Sequence, residues 1–169
     1  MYIMARAARV RKAGERTRGA RTSMDGNGSG AHDCDVLVIG GGPAGSTIST
    51  LLARRGWHVT LLERDRHPRF HIGESLLPAN VPIFEQLGVL DKLRTLGRLK
   101  LGADFPRDDG SYYTFKFDRA LGCTPHYSFQ VVREQMDQML FEHARECGVD
   151  AREECDRGPR PVARSEIGR

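Results

Sequence analysis

The sequence predicts an α/β fold with a parallel sheet, on three observations. An apolar run, Val36 to Ile39, leads straight into a glycine-rich turn, Gly40-Gly41-Gly42-Pro43-Ala44-Gly45. Apolar residues at helical spacing follow it, and a second apolar run, Val59 to Leu62, closes on an acid, Glu63. Strand, turn, helix and strand thus fill the 29 residues from Asp35 to Glu63, and Glu63 lies 18 positions after Gly45. Both spacings are close to the ~30 and ~20 of a dinucleotide-binding βαβ unit, a Rossmann-like arrangement.

Each residue type in that unit has a physical task. Gly40 permits the tight turn at the end of the strand, Gly42 removes a Cβ from the path of a pyrophosphate, and Gly45 lets the helix pack closely. Pro43 suits a first helical turn, where a missing N–H costs nothing. The free N–H groups from Gly42 to Ser46, through Ala44 and Gly45, sit at the positive end of a helix and attract phosphate. Glu63 is placed to accept from a ribose hydroxyl and to repel a 2′-phosphate, which favours FAD or NAD over NADP. The helix is expected from Pro43 to Arg55 with Ala44, Ile48, Leu51 and Leu52 facing inward, and Trp57 is expected to open the second strand.

The chain before this unit differs in character. The 169 residues carry a formal charge of +4, yet residues 1 to 24 alone contribute +6, leaving −2 for the rest. Residues 1–32 are therefore expected to be a disordered basic tail and linker. Several readings of the tail stay open: a nucleic-acid arm, a patch for acidic lipids, a transit peptide, or an over-extended reading frame with Met24 as the true start. No run approaches the ~20 apolar residues of a membrane span. Cys34, Cys123, Cys147 and Cys155 show no CxxC pair, so neither a zinc site nor a disulfide framework is expected, in keeping with a reducing cytoplasm. Basic and aromatic residues do not alternate as a nucleic-acid groove requires.

Beyond Glu63 the chain reads as a polar turn and then His71-Ile72-Gly73-Glu74-Ser75-Leu76-Leu77-Pro78. Ile83, Phe84 and Leu87 share a helical face that ends at Gly88, and a short helix is expected over Leu90–Leu96. Leu99–Phe105 and Tyr112–Phe117 read as strands of an antiparallel hairpin around Asp109-Gly110. Tyr113, Phe115 and Phe117 give the second strand one aromatic face, suited either to packing or to the floor of an aromatic substrate pocket. Phe129–Val132 is a strand entering a helix from Arg133 to Cys147, with Met136, Met139, Leu140 and Ala144 on its apolar side. A last strand is expected in Val149–Cys155, and 156–169 is expected to be disordered.

The GGGPAG turn, Glu63-Arg64 and the segment PRFHIGESLLP together resemble the N-terminal part of FAD-dependent halogenases and their relatives among flavin monooxygenases. The resemblance covers residues 33–155 and implies one FAD-binding domain with the start of a substrate-side hairpin. It implies a cofactor set of Gly40, Gly42, Pro43, Ala44, Gly45, Ser46, Glu63, Arg64, Gly73, Glu74 and Ser75, with FAD as the cofactor. Residues 73–75 would form a loop beside the flavin; read without the resemblance, Ser75 is a helix N-cap. The RxxxD pattern at Arg133 also resembles flavin monooxygenases and geranylgeranyl reductases, and adds Arg133.

By the same resemblance the substrate is a small organic molecule, aromatic among the possibilities, and electrons come from a flavin reductase or NAD(P)H. The family's lysine for hypohalous acid stands just before the IGES-like segment or a few residues past the proline, positions that here read His71 and Pro82. No catalytic residue and no metal ligand is assigned. Since such enzymes continue well past this length, a truncated or frameshifted chain is expected. A non-catalytic remnant and a geranylgeranyl-reductase-like reductase stand as alternatives to a halogenase or monooxygenase.

Overall fold

In the computed structural model the described residues are 34–120, 122 and 124–155, together with the backbone of 2–5. The rest of the expected basic tail, Cys123 and the expected irregular end 156–169 lie outside them. In chain order the elements are β1 (Tyr2–Ala5), β2 (Val36–Ile39), α1 (Pro43–Ala53), β3 (Val59–Leu62), α2 (Val81–Leu87), α3 (Leu90–Leu96), β4 (Gly97–Lys100), β5 (Gly102–Pro106), β6 (Tyr112–Lys116), β7 (Ser128–Val131), α4 (Arg133–Glu146) and β8 (Asp150–Arg152).

The main sheet has the order β1-β2-β3-β8. Its parallel core pairs Val36 with Val59 and Ile39 with Leu62, and β8 continues it by pairing Thr60 with Asp150. Burial alternates along β2, while β3, flanked by strands on both sides, is buried from Val59 to Leu61; Val38 and Leu61 lie fully inside, each burial favouring folding by about 1.5–3 kcal/mol. They pack with Phe141, Ala144 and Val149 and with Ile48 and Leu52 of α1. A second apolar cluster joins α2, α3, β7 and the first half of α4, through Val81, Phe84, Leu87, Leu93, Met136 and Leu140. The short β4–β7 and β5–β6 pairs complete the fold as antiparallel sheets.

Several expectations need correction. Residues 2–5, expected within a disordered tail, form β1 and pair antiparallel with β2, Tyr2 opposite Ile39. The tail opens on Tyr2, Ile3 and Met4, residues suited to strand, and β2 otherwise presents a row of unpaired backbone groups on that side. Trp57 does not open β3, which begins at Val59; Trp57 is 41% exposed. The run 99–105 is not one strand. It divides at Leu101, passing from β4, paired with β7, to β5, paired with β6. Helix α1 ends at Ala53, and Arg54 to Gly56 turn the chain, with Gly56 at φ +88°.

On α1, Ile48, Leu51 and Leu52 pack against the cores as expected, but Ala44 does not, and small residues share the buried face. Ala44 is exposed, whereas Gly45, Ser46, Ser49 and Thr50 are buried. Helix α1 is covered on two sides, and α4 packs against it. Small side chains permit that approach, and two of the hydroxyls are absorbed locally: Ser46 Oγ donates to Gly41 O (3.1 Å) and Thr50 Oγ1 to Ser46 O (2.8 Å).

Candidate dinucleotide site

The site begins where β2 ends. Gly40 adopts φ +107°, a backbone conformation that favours glycine, and its N–H donates to Leu62 O at 2.8 Å, fastening the turn to β3. A Cβ on Gly45 would lie 1.8 Å from Gly40 O, so the turn closes only over a glycine at that position. Gly42 is the N-cap of α1 and supplies no side-chain cap, and the first turn holds no acid. Ser46 N–H is the first to bond back, to Gly42 O at 3.0 Å. The N–H groups of Ala44 and Gly45 precede that ladder, at the positive end of an 11-residue helix.

Glu63 stands across the turn. It is 5% exposed and accepts from Gly41 N–H, from Asp65 N–H at 3.0 Å and from Arg69 Nη2 at 3.1 Å. Burial by itself raises its pKa, but the hydrogen bonds from Asp65 and Gly41 and the Arg69 charge outweigh it and hold the carboxyl below its ordinary value. Gly41 and Arg69 together occupy Oε2. Among the described residues Oε1 accepts from Asp65 alone, which leaves a lone pair for an incoming hydroxyl. Arg64, beside it in sequence, is exposed and pairs with Asp65.

Residues 74–76 lie against β7 through an isolated antiparallel bridge. Ser75 bridges Gln130, Val131 N–H donates to Glu74 O at 2.9 Å, and Leu76 N–H donates to Phe129 O at 2.9 Å. Ser75 is not a helix cap. Its hydroxyl donates to Gln130 Oε1 at 2.6 Å, while the next helical turn begins at Pro78 with Leu77 as its N-cap. Gly73 has φ +106° and an open side filled by Arg133, whose Nη1 would meet a Cβ there at 3.0 Å. Arg133 Nη1 donates to Ile72 O at 2.9 Å.

The structure therefore brings together Gly40–Ser46 with Glu63, and Gly73 with Arg133. Glu74 is exposed, with its carboxylate 3.4 Å from Gln130 Nε2. Four residues missed by sequence reasoning join the two groups. Asp137, fully buried, accepts both Nε (2.9 Å) and Nη2 (3.0 Å) of Arg133, so the cation in the first turn of α4 has its counter-ion one turn on. Arg69 lies between Asp137 and Glu63. Phe141 lies under Gly41, where a Cβ would come 2.7 Å from its ring, and it stacks on His67 at 4.7 Å between centroids. The RxxxD spacing was the available signal for Asp137; Arg69, His67 and Phe141 carry none that local pattern reveals.

Next to Ser75, a cleft of about 750 Å³ is lined by Lys100, Leu101, Asp104, Lys116 and His126. Among the described residues no cluster of His, Cys, Asp or Glu has the form of a metal site, and no helix is long and apolar enough to cross a membrane.

These features fit an adenine dinucleotide: uncapped helical donors, a cradle that a Cβ would fill, and an ionised acceptor at the end of β3. Comparison with known proteins agrees. The family model described as FAD binding domain matches residues 33–157. The chain is 46% identical over 119 residues to the flavin-dependent halogenase rdc2 of Metacordyceps chlamydosporia, covering 70% of this chain and 22% of that protein. It is 41% identical over 138 residues to the tryptophan 2-halogenase of Chondromyces crocatus, covering 76% and 25%. Among solved structures, the myxobacterial chondrochloren halogenase CndH superposes with a TM-score of 0.63 at 41% identity, over 70% of this chain and 28% of that one. The chain thus spans about a quarter of the length of these relatives. It belongs to the FAD binding domain family, as an FAD-binding domain of the flavin-dependent halogenase-like proteins.

Proposed function

We propose that residues 33–155 bind FAD as the nucleotide-binding portion of a flavin-dependent oxidoreductase. In this reading Gly40, Gly42, Pro43, Ala44, Gly45 and Ser46 receive the pyrophosphate, Glu63 accepts from the adenosine ribose, and Arg64 borders it. Gly73, Glu74, Ser75 and Arg133 face the flavin half. The observation that carries the reading is the uncapped start of α1 set opposite the free lone pair of Glu63 Oε1. Bound FAD supplies the redox chemistry, and these residues supply binding, orientation and electrostatics. Replacing Glu63 by Ala removes a charged acceptor and is expected to cost about 1.5–3 kcal/mol of FAD binding. Calorimetry showing equal affinity for both forms would refute the ribose assignment.

The substrate, on this reading, is a small organic molecule of aromatic character, with electrons from a flavin reductase or NAD(P)H, in the cytoplasm. Support comes from the hairpin, where Phe105 and Tyr113, paired across β5 and β6, are 54 and 51% exposed. His71 and Pro82 favour a reaction other than halogenation, since neither supplies the fixed cation of a lysine near neutral pH. With reduced FAD, oxygen, halide and a panel of phenols, pyrroles and tryptophan, mass spectrometry is expected to find no halogenated product. A product above the enzyme-free control overturns that reading.

A further inference from the structure

Four acidic and basic side chains form a continuous line through the interior. Arg69 Nη2 bonds Glu63 Oε2 at 3.1 Å, Arg69 Nη1 lies 3.8 Å from Asp137 Oδ2, and Asp137 is gripped by Arg133 through two bonds of 2.9 and 3.0 Å. The side chains of Glu63, Arg69, Asp137 and Arg133 are 6, 11, 0 and 17% exposed. Water screens such groups little, so each charge depends on its neighbours.

Arg69 is the uneven link. Among the described residues its buried Nε and Nη1 have no hydrogen-bond partner, while Nη2 bonds Glu63. The guanidinium thus sits between two carboxylates, closer to one, with donors to spare for the other. Gly42 borders the same group, since a Cβ there would lie 3.6 Å from Arg69 Nη2. At the far end Arg133 holds the carbonyl of Ile72.

We propose that Arg69 and Asp137 are positioning residues of the dinucleotide site, joining Glu63 beside the glycine turn to Arg133 beside the 72–75 loop, so that the two halves of the site are set together. This rests on the reading that Glu63 and Arg133 face the two halves of FAD. The direction of coupling follows from the geometry. Without Arg133, the buried Asp137 carboxylate has only Arg69 to answer it. The 3.8 Å contact then closes to a hydrogen bond, Arg69 withdraws from Glu63, and the ribose acceptor loses one of the donors that orient it.

ADP, which lacks the flavin half, is the probe. Arg133→Met is expected to weaken ADP binding roughly three- to tenfold in the 169-residue chain and to leave it unchanged in a chain already carrying Arg69→Met. A merely structural role moves ADP binding equally in both backgrounds, and that result, or no effect in either, overturns the proposal. Should Arg69→Met fail to fold, the nearly isosteric Asp137→Asn takes its place as the background in which the effect disappears. A ligand-free readout separates this proposal from FAD binding itself. The Arg69 Nε–H resonance in ¹⁵N spectra is expected to exchange slowly and to shift on Arg133→Met. If the unaltered chain binds neither ADP nor FAD, the proposed function falls while the resonance still decides the link: a shift sustains it, and an unmoved signal refutes it.

Discussion

Gly45→Ala adds one methyl group at the tightest point of the candidate site. The added carbon would lie 1.8 Å from Gly40 O, 3.1 Å from Gly40 C and 3.5 Å from Val38 Cγ1, so the clash is with the Gly40 carbonyl, whose oxygen is about 1.6 Å short of ordinary van der Waals separation. The oxygen cannot simply withdraw, because Gly40 N–H is bonded to Leu62 O and the residue follows directly on β2. Relief requires either breaking that bond or unwinding the first turn of α1. Overpacking of this kind costs about 1–3 kcal/mol of stability. A larger effect is expected on binding. Misdirecting one backbone donor to a phosphate removes a hydrogen bond to a charged group, worth about 1.5–3 kcal/mol, or roughly 10- to 150-fold in affinity. Calorimetry with FAD and with ADP, alongside thermal unfolding, measures both quantities. The clash lies at the pyrophosphate, which the two ligands share, so their affinities should fall by the same factor. Unchanged affinity and an unchanged melting temperature would show that the turn yields freely, and the reasoning from the Gly40 carbonyl would be wrong.

Two further substitutions test the surroundings. Gly41→Ala drives a Cβ against the buried ring of Phe141 and is expected to lower stability by about 1–3 kcal/mol; adding Phe141→Leu should recover part of that loss, and a double variant no better than the single one counts against the contact. For Glu63 the folded-state pKa is depressed, so its contribution to stability is complete above the unfolded value near pH 4.5 and is lost as pH falls through the lower folded value. Urea titrations across that acid range should show a smaller pH dependence for Glu63→Gln than for the unaltered chain, and identical slopes would refute the assignment.

The sequence shows most of the βαβ unit because its determinants are local. Val36–Ile39, the spaced glycines and Glu63 lie within one short stretch, and hydrophobic period and turn chemistry suffice to read them. The Leu90–Leu96 helix and the Asp109-Gly110 hairpin were legible for the same reason. The failures have a common cause in tertiary partners. No local pattern says that Leu101 marks a change of sheet, because Leu99 and Phe105 have equal claim to one continuous strand. The buried hydroxyls of α1 are small residues admitted by the approach of α4, a neighbour about 90 residues later in the chain. Arg69 reads as one more cation in a polar turn until Asp137, from α4, is placed beside it. The candidate site was therefore visible as a set of backbone positions, and its ionic framework was not.

Helix α4 belongs to both apolar clusters, with Met136 and Leu140 in one and Phe141 and Ala144 in the other. Losing α4 from either core would therefore strip packing from the other. Amide protons in β2 and β3 should then exchange with solvent through the same opening event as those in α2 and α3, with a single free energy. Folding order is constrained too. The ring that supports Gly41 comes from α4, so the nucleotide-binding turn should take its final shape only once α4 has docked, and a ligand on that turn should slow unfolding more than it speeds folding.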